Sequence, residues 1–150
     1  MAEITLELIQ QLREQTGAGV MDAKAALKDA DGDYDQALAI IAEKAGTKAG
    51  KRAERETGAG LIETYVHNGR VGVMLDMRAE TDFVVRSEPF QDLAKDIVMH
   101  IAAMKPEDVE ELLAQPFVKN DEKTVGDLLN ELIAKTGENC RIAKFARFEA

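Results

Sequence analysis

The sequence lacks most of the side chains that covalent catalysis and disulfide frameworks require. It has one cysteine, Cys140, so an intrachain disulfide and a zinc site built only from cysteines are excluded, and a reducing compartment is indicated. Ser87 is the only serine, and His67 and His100 are the only histidines. Catalysis therefore finds little support, and we expect a protein without a catalytic residue.

Long apolar runs and an excess of positive charge are also absent. No run of about 18 apolar residues occurs, so we expect no membrane span, and the acidic start of the chain does not resemble a signal or transit peptide. Lysine and arginine number 19 against 28 aspartates and glutamates, which gives a net charge of −9. Since phosphate groups attract positive charge, this balance argues against binding to nucleic acid or to an anionic membrane. We expect a cytoplasmic protein.

Helical periodicity dominates residues 1–46, which we interpret as a three-helix module. Thr5 can cap the first helix, and Asp33 can cap the third because Gln36 follows in a capping-box position. Glycines separate the helices, and we expect Gly46 to close the third. With 45% hydrophobic residues in the chain, a core can form, although three short helices bury only a thin one.

The pattern changes twice after this module. Residues 47–60 are rich in glycine, alanine and positive charge, and we interpret them as a basic linker that is partly helical. Two apolar runs, near 61–67 and 70–79, then flank Asn68 and Gly69, a dipeptide that is the strongest short signal for a β-hairpin.

The remaining segments alternate between helix and strand patterns. We expect helices near 90–104, 106–114 and 123–135 and a last strand within 141–149. Because helices and strands segregate, residues 61–150 are expected to form an α+β core domain with an antiparallel sheet.

Two segments resemble ligand-binding loops but fail at required positions. Residues 29–35, DADGDYD, resemble a calcium loop, yet Tyr34 stands where glycine is needed and Ile40 where a bidentate glutamate is needed. Residues 46–51, GTKAGK, resemble a phosphate loop, yet its glycines are too close together and Arg52 replaces the magnesium-binding hydroxyl. We expect no metal site and no cofactor.

An enzyme that uses Cys140 or a histidine remains an alternative. A nucleophilic arrangement of Cys140, His100 and a carboxylate is open at this point, but nothing near Cys140 in the sequence would activate its thiol. The ordinary interpretation of Cys140 is a small apolar strand residue.

The motif TGAGVMDAK, residues 16–24, suits binding. A tight turn between helices explains Gly17 and Gly19. It does not explain why Val20 and Met21 follow directly, since only one of two adjacent apolar side chains can point fully inward.

The motif ETDFV, residues 80–84, places an acid and an aromatic at the end of the second strand. On pattern alone we favour Phe83 as a core residue and Asp82 as the N-cap of the next helix.

With these motifs the chain resembles the elongation factor Ts family, the exchange factors for the translational GTPase elongation factor Tu. The resemblance covers nearly the whole chain: MAEIT, LREQTGAGVMDAKAAL, the DGD turn, ETDFV, MHIAA, KPE, QPFV, KTV and the closing RFE. Two of these, the TGAG and TDFV motifs, are family signatures. The resemblance implies an N-terminal three-helix, ubiquitin-associated-like module followed by an α+β core.

It also implies guanine nucleotide exchange in translation elongation, without covalent chemistry. The protein would bind elongation factor Tu with GDP and promote GDP release by disturbing the magnesium site. Phe83 would be the wedge that enters an apolar pocket between two helices of the GTPase. Asp82 would make the neighbouring polar contact, and Thr81 and Val84 would shape the turn.

In the N-terminal module the resemblance implies a second contact, a grip on the nucleotide-binding domain near its phosphate loop. Six residues correspond to it: Arg13, Gly17, Ala18, Gly19, Val20 and Met21. A binding module without exchange activity, with the α+β part as its scaffold, remains the alternative function, but it leaves ETDFV unused.

The chain departs from longer family members in length. Those carry two related core halves and a helical-hairpin insertion, whereas this chain has room for about one half. We therefore interpret the core as a dimerisation-type domain: if the full partner-binding surface needs two halves, a homodimer could supply the second. An apolar face left exposed by the missing half would drive the pairing.

Overall fold

The computed structural model describes residues 2–150 and confirms the α+β class with an antiparallel sheet. Three helices come first, and strands and helices of the second part follow. The elements in chain order are α1 Leu6–Thr16, α2 Val20–Asp29, α3 Tyr34–Arg52, β1 Ala59–His67, β2 Val71–Ala79, α4 Asp82–Val85, α5 Glu88–Met104, α6 Val109–Ala114, β3 Pro116–Phe117, β4 Asn120–Thr124, α7 Val125–Thr136 and β5 Cys140–Glu149.

The first three helices form their own small core, and their caps are those that the sequence predicts. The Thr5 side chain accepts a hydrogen bond from the Leu8 amide at 3.2 Å. The Asp33 carboxylate accepts one from the Gln36 amide at 2.9 Å. These caps fix where α1 and α3 begin. The buried residues of this core are Ile9, Leu12, Ala23, Ala26, Leu27, Ala30, Ala37 and Ile41.

The third helix is longer than the sequence predicts, and the expectation that Gly46 closes it is wrong. It continues to Arg52, so the first part of the predicted basic linker is helical, and GTKAGK is a helical segment instead of a phosphate loop. The continuation is stabilised by packing, because Ala49 is buried in the second core. Arg52 adds a hydrogen bond from its guanidinium to the Ile133 carbonyl of α7 at 2.9 Å.

The main sheet has the strand order β1-β2-β5, with both neighbouring pairs antiparallel. The predicted hairpin between β1 and β2 is confirmed. Asn68 and Gly69 both have positive φ values, 51° and 66°, as a tight hairpin turn requires. Both strands lie within two residues of their predicted bounds.

Helices α5 and α7 cover one face of this sheet and enclose the main core. Alternate residues of β2 point toward them, and so does the apolar stripe of α5, as expected from its period. The most enclosed members of this core are Leu75, Met77, Ala79, Phe90, Ala94, Ile97, Ile101, Leu112 and Val125.

The opposite face of the sheet, which we call the outer sheet face, carries no helix. Four large apolar side chains on it are more than half exposed: Ile62, Val66, Met74 and Phe148. At its centre Asp76 is buried and accepts two hydrogen bonds from Arg78, at 2.8 and 3.0 Å. This ion pair holds the pKa of Asp76 below its ordinary value.

No helix within residues 2–150 is both long enough and apolar enough to cross a bilayer.

Candidate functional site

Phe83 is the most exposed aromatic side chain of the site region, with 86% of its surface accessible. It is the second residue of α4, a single helical turn that follows β2. The expectation that Phe83 is a core residue is therefore wrong, and Asp82 is not the N-cap. Thr81 is the cap, and its hydroxyl accepts a weak hydrogen bond from the Val84 amide at 3.4 Å.

The carboxyl end of α4 is fixed by burial and by hydrogen bonds. Val84 and Val85 are 5% and 6% exposed, so they anchor the turn on the main core. The Ser87 hydroxyl donates to the Val84 carbonyl at 2.6 Å, and the side-chain amide of Gln91 donates to the Val85 carbonyl at 2.8 Å. With the two valines turned inward, Phe83 must point outward.

The amino end of the same turn is fixed from the turn that follows α7. Glu138 accepts hydrogen bonds from the Thr81 amide at 2.9 Å and from the Thr81 hydroxyl at 2.8 Å. Glu80 accepts one from the Asn139 amide at 2.7 Å. Glu138 was not predicted from the sequence, since it lies 57 residues from Thr81 and no local pattern connects the two.

Asp82 lies beside Phe83 and is exposed. Within the described part of the chain its carboxylate forms no hydrogen bond or ion pair. It is thus free to meet a donor on another molecule.

The TGAG turn joins α1 to α2 in the expected conformation. Gly17 has a φ of 72°, a left-handed conformation that favours glycine, and its amide donates to the Arg13 carbonyl at 2.7 Å. The Ala18 amide donates to the Thr16 hydroxyl at 3.2 Å. Gly19 precedes α2 as its N-cap.

The apolar residues of this turn both face outward. Val20 is 48% exposed and Met21 is 75% exposed, although one of them could have pointed inward. Leu6, at the start of α1, is 85% exposed and borders the same groove as Arg13 and Val20. Leu6 was not predicted as a surface residue, because helical periodicity alone does not show which apolar residue remains outside a small core.

The two predicted groups of residues form two separate surfaces. α4 packs against β1, β2 and α5. The TGAG turn lies instead near α7, where a Cβ atom on Gly17 would approach the Lys135 side chain at 3.8 Å. A partner would have to contact both surfaces at once to use all the predicted residues.

Neither Cys140 nor His100 supports nucleophilic chemistry. Burial raises the pKa of the Cys140 thiol to about 11, so the thiol stays protonated near neutral pH. Its polar neighbours are Thr136 and Glu138. His100 instead contacts Gln115 and Val118, so the arrangement left open by the sequence does not form.

The residues of the calcium-like segment serve as helix signals. Asp31 and Gly32 have positive φ values and end α2, and the Asp33 carboxylate is occupied by the cap of α3. Between Ala2 and Ala150, no three His, Cys, Asp or Glu side chains are grouped as a metal site would require.

Comparison with known proteins points to one family. A family model described as Elongation factor TS matches residues 80–150, which begin with ETDFV. Proteins named Elongation factor Ts from Thermotoga neapolitana, Alkaliphilus metalliredigens and Oleidesulfovibrio alaskensis are 40%, 38% and 37% identical to this chain.

These similarities extend over nearly the full length of both sequences. The alignments cover 98%, 97% and 99% of this chain and 97%, 89% and 98% of the three relatives. They run over 191, 191 and 195 positions, compared with 150 residues here. Part of each relative therefore has no counterpart in this chain, as expected for a shortened core.

Proposed function

The chain belongs to the elongation factor Ts family, and from this premise we propose that it is a guanine nucleotide exchange factor for elongation factor Tu in translation elongation. It performs no covalent chemistry. It acts where translation takes place, in the cytoplasm, on the GDP-bound GTPase.

The observation that carries this proposal is the exposed ring of Phe83 on a turn fixed at both ends. A buried aromatic side chain removes about 150–250 Å² from water, which at about 25 cal/mol per Å² is worth several kcal/mol. In the free protein Phe83 gains almost none of this energy. It becomes available when the ring enters an apolar pocket of a partner, and the rigid turn lowers the entropy cost of binding.

Exchange requires that this energy be gained mainly with the nucleotide-free GTPase. Magnesium and the phosphate-loop amides hold GDP tightly, and a factor that bound both forms equally would shift nothing. We propose that Phe83 moves the element that coordinates magnesium, and that Asp82 stabilises the displaced element through a polar contact. Thr81 and Val84 set the angle at which the ring projects.

The second contact is the grip of the N-terminal module. We propose that Val20 and Met21 contact the nucleotide-binding domain, with Arg13 beside them and the turn from Gly17 through Ala18 to Gly19 setting their position. Their outward orientation supports this role. The grip holds the wedge against its pocket, so either surface alone should exchange poorly.

We also propose that the outer sheet face pairs with the same face of a second copy. Ile62, Val66, Met74 and Phe148 form an apolar patch with no covering element, and exposed patches of this kind are typical of interfaces. The shorter length of the chain relative to its relatives supports the idea that a second copy replaces a missing part. A twofold axis would make one patch complementary to itself.

The proposed function is tested by release of fluorescent GDP from elongation factor Tu. The wild-type protein should accelerate release, and Phe83→Ala should lower the accelerated rate at least about tenfold, which corresponds to about 1.4 kcal/mol. Its melting temperature should be unchanged, because the removed ring contacts little of its own protein.

Met104→Ala is the matched control, since Met104 is also an exposed apolar residue, at the end of α5. It should exchange like the wild type. Binding without any acceleration by the wild type would favour the module without exchange activity, and a Phe83→Ala variant as fast as the wild type would remove the wedge.

A further inference from the structure

Glu138 forms two hydrogen bonds with Thr81, the residue that caps α4. Because α4 carries Phe83, we call it the wedge turn. The two carboxylate oxygens of Glu138 accept from the amide and from the hydroxyl of Thr81, at 2.9 and 2.8 Å. A carboxylate that accepts two such bonds fixes both the backbone and the side chain of its partner. Glu138 is only partly buried, so its position depends on its own supports.

Those supports come from the end of α7. Gly137 ends the helix in the left-handed conformation, with φ of 77°. The Thr136 hydroxyl then accepts a hydrogen bond from the Glu138 amide at 3.3 Å and donates to the Leu132 carbonyl at 2.9 Å. Glu138 is therefore held by the helix that also packs on the N-terminal module through α3.

A second contact joins the same two segments, residues 80–81 and 138–139, but here the carboxylate belongs to the first segment and the amide to the second. Glu80 accepts from the Asn139 amide at 2.7 Å and forms an ion pair with Arg55 at 3.5 Å. The Asn139 side chain is 4% exposed and donates to the carbonyls of Ala53 and Arg55, at 3.3 and 2.8 Å. Residues 80–81 and 138–139 thus hold each other reciprocally.

α4 needs such a brace because it is too short to be stable alone. An isolated helical turn pays the full nucleation cost for very few hydrogen bonds. Val84 and Val85 anchor its carboxyl end in the core, but within the turn its amino end has only two long hydrogen bonds to Thr81, the 3.4 Å cap and one of 3.2 Å from the Val85 amide to the Thr81 carbonyl. Without Glu138 that end could unwind, and the direction of the Phe83 ring would no longer be set.

We propose that Glu138 is a positioning residue for Phe83: its carboxylate holds Thr81 so that the wedge turn is formed before a partner arrives. This inference rests on the proposed exchange function. It assigns to Glu138 no contact with the partner.

Glu138→Ala removes both bonds, and we expect the rate of stimulated GDP release to fall about tenfold, the loss of about one charge-assisted hydrogen bond. Glu138→Gln keeps one acceptor oxygen and the side-chain length, so it should recover most of the rate. Thr81→Val removes the hydroxyl bond to Glu138 and the weak cap on the Val84 amide with little change of shape, so it should also lower the rate. Glu110→Ala makes the same change of charge at an exposed position of α6 and should exchange like the wild type.

A double-mutant cycle separates positioning from general destabilisation. If Glu138 acts through the ring, adding Glu138→Ala to Phe83→Ala should lower the rate no further. Amide exchange of residues 81–86 should become faster in Glu138→Ala, while the melting temperature changes little.

Three possible results would contradict these proposals, and they distinguish the failure of the proposed function from the failure of the positioning role. A wild-type protein that does not stimulate release overturns the proposed function itself. An active wild type with an equally active Glu138→Ala variant overturns only the positioning role. The positioning role is also overturned if Glu138→Ala lowers the rate of GDP release equally in the wild type and in Phe83→Ala. The effect would then not depend on the Phe83 ring.

Discussion

At the scale of single residues, His100 shows how one buried polar side chain connects three segments. Its Nε2 atom lies 2.9 Å from the Gln115 side-chain oxygen, and its Nδ1 atom accepts from the Val118 amide at 3.1 Å. This pattern requires a neutral ring with its proton on Nε2. The ring also stacks on Phe117 with centroids 5.8 Å apart, so it fixes the β3–β4 hairpin on α5.

This arrangement predicts a loss of stability on mild acidification. Burial lowers the pKa of His100 from its ordinary value of 6.5, against a smaller opposing effect of the Gln115 bond. Below pH 6.5 position 100 is therefore protonated in the unfolded chain, whereas His100 in the folded chain remains neutral until a lower pH. The free energy of unfolding should fall by up to about 1.4 kcal/mol per pH unit until the folded-state pKa is reached.

Urea unfolding between about pH 7.5 and about pH 5.5 measures this effect. His100→Gln should abolish the dependence in that range. His67→Gln replaces the exposed histidine of the hairpin and is the control for the effect of a histidine-to-glutamine change on unfolding. If the free energy of unfolding of His100→Gln still falls with pH in this range, another group causes the dependence.

The residues of the site were only partly predictable from the sequence. The ETDFV motif identified Phe83, but hydrophobicity alone placed its ring in the core. The structure turns it outward because the next two valines occupy the inward positions of a single turn. The role of Glu138 could not be predicted from the sequence, since its contact with Thr81 depends on how the end of α7 lies beside the end of β2.

At the scale of elements, α3 shows packing overriding local propensity. A glycine inside a helix costs about 1 kcal/mol relative to alanine, so Gly46 argued for a helix end. The buried Ala45 and Ala49 and the Arg52 bond to α7 outweigh that cost. Sequence periodicity cannot include such contacts before the partner helix is known.

Two details of the strands were missed for similar reasons. The tail pattern of β5 alternates imperfectly because a bulge shifts its register: Asp76 pairs with Lys144, but Met77 pairs with Ile142. The extra residue sends Phe148 to the outer sheet face. The short β3–β4 hairpin had no periodic signal, since β3 has only two residues.

The open space around Gly50 predicts a stabilising substitution in α3. A Cβ atom there would meet no other atom within 4 Å, so Gly50→Ala should raise the free energy of unfolding by about 0.5–1 kcal/mol. Gly126 in α7 is the matched contrast, because its Cβ would lie 2.9 Å from the Leu113 carbonyl oxygen. Gly126→Ala should therefore destabilise the protein. Denaturant unfolding of both variants checks this, and a shift of the same sign in both would contradict it.

At the scale of the whole molecule, α3 makes one framework of two cores. Its first half contributes Ala37 and Ile41 to the N-terminal core, and its second half contributes Ala49 to the main core. The α1–α2 turn and α4 are thereby connected through α3 and α7: α1 and α2 pack on α3, α3 packs on α7, and Glu138 after α7 accepts hydrogen bonds from Thr81. The sequence predicted both cores but placed a linker where this helix connects them.

The outer sheet face is a second feature of the whole molecule, because the fold leaves this large apolar surface uncovered. Met74 lies near its centre, in register with Thr64 on β1 and Ala146 on β5. Nearby Asp76 already forms an ion pair with Arg78. In a symmetric dimer a new carboxylate at position 74 would be introduced twice, and two like charges would approach each other in a desolvated interface.

We therefore expect Met74→Glu to convert a dimer into a monomer, as measured by light scattering coupled to size-exclusion chromatography. The fold should persist, because Met74 is 54% exposed and lies outside both cores. Met104→Glu introduces the same side chain at another exposed methionine and should stay dimeric. If each partner GTPase needs surfaces from both copies, the Met74→Glu monomer should also exchange more slowly than the wild type. A monomeric wild type would instead show that the outer sheet face does not pair with the same face of a second copy.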